Sequence, residues 1–320
     1  MMSKPKILFW INTNFLHFSL AYYMQSKIDA DFFAVVDTNT KPKAFFENQK
    51  LVNFKKLWFY HDYIKKNSKK IDFKYIENFE NKSHINLWEL CLNERYFYEH
   101  NRFYKFQKNE ILSILEQELK LFETILDKIK PDFFLTFNPV LHHQKLLLEM
   151  CRVKGIKVLN SCRTGVGDQT VLVEDGTTLD LDLNKKINDY PNNILNKKIE
   201  HNDYDLDQKI WIQKRTIKFS DKLVGLKDYL RDSDSFLINS NFMYYGRTKF
   251  RVIKDTLELE YRKRRNYNFL NSVSDLSPNL EIPYVYFPLN INEEASLLHY
   301  APYYTNQIEV IRHIAKSIPI

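Results

Sequence analysis

Glycine is scarce in this chain, six residues in 320, and the scarcity excludes the nucleotide sites built on glycine-rich loops. No dinucleotide fingerprint and no Walker motif occurs anywhere in it. Cysteine is scarcer still. Cys91, Cys151 and Cys162 are far apart and sit in helix-like or strand-like contexts, so they spell neither a disulfide framework nor a zinc-ligand spacing. Long apolar runs are missing too, with nothing near the roughly 18 residues that a membrane span requires. The first apolar run, Ile7–Ile11, has the length of a strand and not of a signal-peptide core. These absences lead to the expectation of a cytoplasmic protein, with peripheral contact to the inner membrane face open to its basic side chains.

Aromatic residues and positive charge are plentiful. The chain holds 24 Phe and 20 Tyr, and its formal charge is +7. Such a balance suits nucleic acid, an anionic membrane or phosphorylated substrates. The basic residues are spread along the chain, however, and no recognisable nucleic-acid-binding motif accompanies them. The expectation is therefore no nucleic-acid partner, with a basic RNA-binding protein kept as the remotest alternative.

Periodicity supplies the fold class. Asp132–Phe137 is a short run of Phe, Leu and Thr with no helical period, suited to a strand buried on both faces. Asn138 as N-cap and Pro139 as first helical residue would then open a helix through Leu141, Leu147, Leu148 and Cys151, which Gly155 closes before a second strand, Ile156–Asn160. Strand, helix and strand in about thirty residues make a right-handed parallel crossover. Lys6–Ile11, Phe15–Lys27 and Phe32–Val36 read as another. Asn109–Lys130 is a helix on the spacing of Ile111, Leu115, Leu119, Phe122, Leu126 and Ile129. Further strands are expected at Leu57–Tyr60, Phe73–Ile76 and Thr170–Glu174, and helices at Ile85–Tyr104, Leu206–Phe219, Leu223–Ile238 and Met243–Phe269. After a linker-like Ser272–Glu281, Pro283–Leu289 reads as a buried strand and Tyr303–Lys316 as an amphipathic helix. One strand and one helix cannot bury their own apolar faces. The division expected is 1–202 as a Rossmann-like domain, 203–281 as interdomain helices and linker, and 282–320 as the opening of a second, incomplete domain.

Ligands of parallel sheets bind beyond the carboxyl ends of the strands. That rule selects Asn12, Asn14, Asn138, Ser161 and Asp168 as substrate contacts, and one of His142 and His143, in the first turn of the central helix, as proton carrier, the alternative for them being a solvated or core-edge histidine. Arg163 follows a strand, where its guanidinium would hold a carboxylate or phosphate at two points or pair with Asp168. Asp180 and Asp182 have the spacing of a metal site but alternate with Leu, which favours a half-exposed strand or loop, and no metal is expected. Glu89, Glu94 and Arg95 read as an exposed ion-pair set. Glu294 follows the last expected strand, a place suited to ribose or acceptor hydroxyls.

Four segments carry a resemblance. INLWELCLNERYFYEHNRFYKF at 85–106, NEILSILEQELKLFETILDKIKPDFFLT at 109–136, GIKVLNSCRTGVGD at 155–168 and the tail at 283–320 together resemble bacterial and archaeal capsule or surface polysaccharide biosynthesis proteins. Those proteins are similar to GT-B glycosyltransferases, in broad outline to the capsule Kdo transferases and the CMP-sugar sialyltransferases. The resemblance implies an acceptor-side domain first and a donor domain second, the latter represented here by its first strand and helix. It also implies a nucleotide-sugar donor such as a CMP-sugar, a glycan or lipid-linked glycan acceptor, and no cofactor. A non-catalytic assembly protein of the same fold is the alternative.

Overall fold

The computed structural model describes residues 4–38, 40–66, 71–92, 94–98, 101–163, 170–174, 227, 230, 241–274, 284–289 and 301–318. The chain begins with β1 (Lys6–Asn12), α1 (Leu16–Met24), β2 (Asp31–Asp37), α2 (Thr40–Asn48) and β3 (Phe54–Phe59). Four helices follow, α3 (Tyr60–Tyr63), α4 (Phe73–Ser83), α5 (Leu87–Leu92) and α6 (Arg95–Tyr98), and then the long α7 (Lys108–Ile129). The second crossover is β4 (Phe133–Phe137), α8 (His142–Val153) and β5 (Lys157–Arg163), with β6 (Thr170–Val173) after it. Last come a 3-10 turn at Phe242–Tyr244, α9 (Lys249–Val273) and α10 (Gln307–Ser317).

The six strands form one sheet in the order β3-β2-β1-β4-β5-β6. The first five are parallel, and β6 alone runs antiparallel, along β5. The fold is therefore α/β and Rossmann-like, with an antiparallel edge strand where a uniformly parallel sheet was expected. Alternation along β1 explains why it is central. Leu8 and Trp10 point into a core shared with α7 and α8, while Ile7, Phe9 and Ile11 point into a second core with Phe18 of α1 and Phe46 of α2. A strand apolar on both faces must be covered on both, which is the parallel-sheet arrangement. α7 buries the stripe that its spacing requires, and a capping box between Gln107 and Glu110 starts it.

Several local expectations are corrected. Phe73–Ile76 is the first turn of α4, because the Asp72 side chain accepts the Tyr75 N–H and starts a helix whose Ile76 packs into the core. The single helix expected over Ile85–Tyr104 is broken into α5 and α6, with Glu94 between them turned inward. α8 begins at His142 with Leu141 as N-cap, so Asn138 does not cap it. Tyr284–Leu289 joins no strand and is largely exposed, so the buried strand expected there is absent. Leu206–Phe219 and most of Leu223–Ile238 lie outside the described residues, as do Asp180 and Asp182.

Asn241–Arg247, assigned by sequence to interdomain helices, packs into the sheet's own core. Phe242, Met243 and Tyr245 join the α7–α8 cluster, and Phe242 lies against Phe97, Phe106 and both histidines of α8. Gly246 makes the turn possible. Its φ is +73°, and a Cβ there would stand 2.3 Å from the Phe103 carbonyl oxygen. Gly155, which closes α8 at φ +69°, has nothing within 4 Å of that position. Alanine at either site meets the left-handed penalty of about 1–2 kcal/mol. Gly246→Ala must in addition displace backbone, so urea titration is expected to show a distinctly larger loss for it than for Gly155→Ala. Equal losses would mean that the 246 turn is not docked on Phe103.

Candidate functional site

The chain lays β2 and β3 on one side of β1, then β4 and β5 on the other, so the strand order reverses between β1 and β4. At such a reversal the connections diverge and leave a crevice at the carboxyl edge. A crevice of about 370 Å³ lies there, lined by Asn12 at the end of β1, Asp37 at the end of β2 and Phe137 at the end of β4. His61 from α3, Arg95 from α6 and Arg247 before α9 form other parts of its wall.

Asp37 organises one wall. His61 Nε2 lies 2.9 Å from its Oδ1, and His143 Nε2 lies 3.3 Å from its Oδ2. A carboxylate facing both rings requires them as donors, which places a proton on each Nε2. Burial disfavours the Asp37 charge, but the hydrogen bonds from His143 and His61 and their charges outweigh it and hold the carboxyl well below its ordinary range. The Asn241 amide nitrogen, 3.2 Å from His61 Nε2, abuts the same ring edge. With Nε2 committed to Asp37, His61 Nδ1 carries the lone pair, and that atom is buried with no hydrogen-bond partner.

Behind this wall lies a second set. His142 is fully buried, and its Nδ1–H and backbone N–H both donate to Glu94 Oε2 at 2.7 Å. Its Nε2–H donates to Glu118 at 3.0 and 3.1 Å, and the Tyr60 hydroxyl donates to the same carboxylate. Burial works against the imidazolium. The charge of Glu118 and the hydrogen bonds to both carboxylates prevail and push its pKa up to about 10. Glu94, likewise opposed by burial, is held down to about 2 by the hydrogen bond and charge of His142 and by the N–H groups of His142 and Tyr96. The tight turn made by Glu94 Oε1 accepting the Tyr96 N–H (2.9 Å) is what presents Arg95 to the crevice.

The two shifts have opposite signs with respect to pH. The folded pKa of His142 lies above its ordinary 6.5, so its contribution to stability is complete below pH 6.5 and is lost as pH rises through 10. The folded pKa of Glu94 lies below its ordinary 4.5, so its contribution is complete above pH 4.5 and is lost as pH falls through 2. Melting temperature should therefore be highest between about pH 4.5 and 6.5 as far as this set determines it. A His142→Gln variant should lose the alkaline part of the decline, and an unchanged alkaline decline would refute the assignment.

Among the described residues, Glu118, His142 and His143 bring ligand-type atoms within 4.8 Å of one another. Both nitrogens of His142 are engaged by carboxylates, and the ring is held charged. An imidazolium has no lone pair for a metal, so the group functions as an ion-pair cluster.

The sequence-selected residues are distributed unevenly. Asn12 lines the crevice. Asn14 accepts the Leu16 N–H and so opens α1. His142 and His143 are both fully buried, one in the carboxylate cluster and the other against Asp37, so neither projects into the crevice. Ser161 is tied to His17 Nε2 at 2.9 Å, and His17 in turn bonds the Trp10 carbonyl. Asn138 lies in the loop between β4 and α8, and Arg163 ends β5 opposite Thr170. Asp168 and Glu294 lie outside the described residues. Glu94, expected to be exposed, is buried. Sequence reasoning passed over Asp37, His61 and Arg247. Asp37 and His61 each stand at or just beyond the carboxyl end of a strand that the sequence had located, and that position was the available signal.

No protein-family model matches the chain, and no curated protein or solved structure matches it.

Proposed function

We propose that the chain is a glycosyltransferase-like protein of surface polysaccharide synthesis, moving a sugar from a nucleotide-sugar donor to a hydroxyl of a glycan acceptor at the β1–β4 crevice. The observation that carries this reading is the Asp37–His61 pair at the carboxyl edge of the sheet, with its Nδ1 lone pair uncommitted. Asp37 fixes the tautomer and stabilises the imidazolium that forms when His61 Nδ1 takes the acceptor's proton, a role that suits a ring in hydrogen-bond reach of the reacting hydroxyl. His143, stacked on Tyr60 and bonded to the other Asp37 oxygen, keeps that carboxylate from rotating. The buried Glu94–His142–Glu118 set holds α6 and α8 in register behind the crevice. Deprotonating a sugar hydroxyl while a phosphate-bearing group departs is chemistry for which a positioned base and a cationic surround suffice.

The resemblance of the four segments to capsule polysaccharide proteins supports the same reading. The test is release of nucleotide from CMP-sugars and UDP-sugars by the full chain in the presence of glycan acceptors. Release that depends on acceptor and on His61 is expected. Donors that remain intact with every acceptor would leave the non-catalytic assembly role.

A further inference from the structure

We propose that the crevice contains an anion site, centred on Arg247 and Thr38 with Arg95 beside them, that takes a phosphoryl group of the substrate. Two donor atoms of crevice-lining residues are buried without a hydrogen-bond partner, Arg247 Nε and Thr38 Oγ1. Native proteins leave few buried polar atoms unsatisfied, because each costs about 1–3 kcal/mol. Two such donors beside one cavity point to a ligand that accepts from both. Thr38 is 7% exposed as a residue, and its hydroxyl oxygen is buried from bulk water.

The charge balance favours an anion. Asp37 is the sole carboxylate on the described lining, and both of its oxygens are occupied by histidines. Arg247 pairs with no carboxylate among the described residues. Its guanidinium carbon lies instead over the rings of Phe103 and Tyr244, at 5.5 and 5.3 Å from their centres. Aromatic stacking orients an arginine while leaving its N–H fork for another acceptor. The Gly246 turn that precedes Arg247 packs closely against the Phe103 backbone.

The donors also reach the cavity from separate elements, the end of β2 for Thr38, α6 for Arg95 and the turn before α9 for Arg247. Convergence from several directions suits a tetrahedral phosphoryl group, with acceptor oxygens on every side, better than a planar carboxylate. The cavity, about 370 Å³, accommodates a sugar phosphate or a mononucleotide. The inference rests on this crevice being the substrate site proposed above, but not on any transfer taking place there.

The experiment is calorimetric titration of the full chain with inorganic pyrophosphate, glucose 1-phosphate, CMP and sodium acetate. Wild type should bind the phosphoryl compounds and not acetate. Arg247→Met should weaken that binding by about ten- to a hundredfold, the value of one charge-assisted hydrogen bond. Thr38→Val, which keeps the shape and removes the hydroxyl, should weaken it less. Lys154→Met, in the turn after α8 at the opposite edge of the sheet, should not alter it. Equal affinities for wild type and both crevice variants, with folding intact by circular dichroism, would overturn the proposal, as would acetate binding as tightly as phosphate. If Arg247→Met fails to fold, Thr38→Val decides alone. Phosphoryl binding without nucleotide release would leave the anion site standing and remove the transfer reaction. Pyrophosphate or glucose 1-phosphate binding as well as CMP would place the phosphoryl group alone in the site, and CMP far tighter would make a nucleotide its source.

Discussion

His61→Gln is expected to lower the rate of acceptor-dependent nucleotide release by about 10²- to 10⁴-fold, the range a positioned general base supplies. Glutamine preserves the volume and a donor toward Asp37, so the wall of the crevice should keep its shape while the titrating nitrogen disappears. KM for donor and acceptor should change little, since a base acts on the reacting proton and not on ground-state binding. Asp37→Asn should give a comparable loss for a different reason. An amide cannot accept from both His61 and His143, which frees the ring to take the other tautomer. The two substitutions remove one unit, and the double variant should be little slower than either single one. A His61→Gln protein that releases nucleotide within about threefold of the wild-type rate would end the proposal of His61 as proton carrier.

Glu118→Ala should cost the fold about 3–5 kcal/mol, the usual consequence of deleting one partner of a buried ion pair. Two donors lose their acceptor at once, the Nε2–H of His142 and the hydroxyl of Tyr60, both buried. Water cannot reach either to compensate. A domain of this kind has about 5–15 kcal/mol to lose, so the variant should unfold at markedly lower urea. Glu118→Gln is the informative companion. It retains a carbonyl oxygen for Tyr60 but no charge for His142, and should fall between wild type and alanine. The alkaline limit of His142 should also move down in both, because the charge of Glu118 is the foremost influence holding the ring protonated against burial. A Glu118→Ala protein within about 1 kcal/mol of wild type would mean that the cluster is solvated and not the dry ion-pair set described.

Much of the fold was legible in short-range pattern. The apolar run before Asn138 and the spacing of Ile111 to Ile129 located β4 and α7 to within a residue or two, because burial on both faces or on one stripe leaves a periodic trace. Tyr284–Leu289 misled for the same reason. An aromatic, β-branched run reads as a strand whether or not another strand is beside it, and here none among the described residues is. Phe73–Ile76 failed differently, since its helical state depends on one hydrogen bond from Asp72 and on the packing of Ile76. The break at Glu94 had no local sign at all. Its partner is His142, 48 residues further on.

By itself, then, the order of residues settled that this chain alternates strands with helices around a mostly parallel sheet, and it directed the search for a site to the carboxyl ends of those strands. Which side chains meet there was decided by the tertiary structure. The strand order reverses at β1, and that reversal brings Asp37, His61, Arg95 and Arg247 around one crevice and sends His142 and His143 inward to carboxylates. Hydrophobic period reports what a segment hides, a property of neighbours in sequence. The pairing of charges depends on which segments the sheet sets side by side.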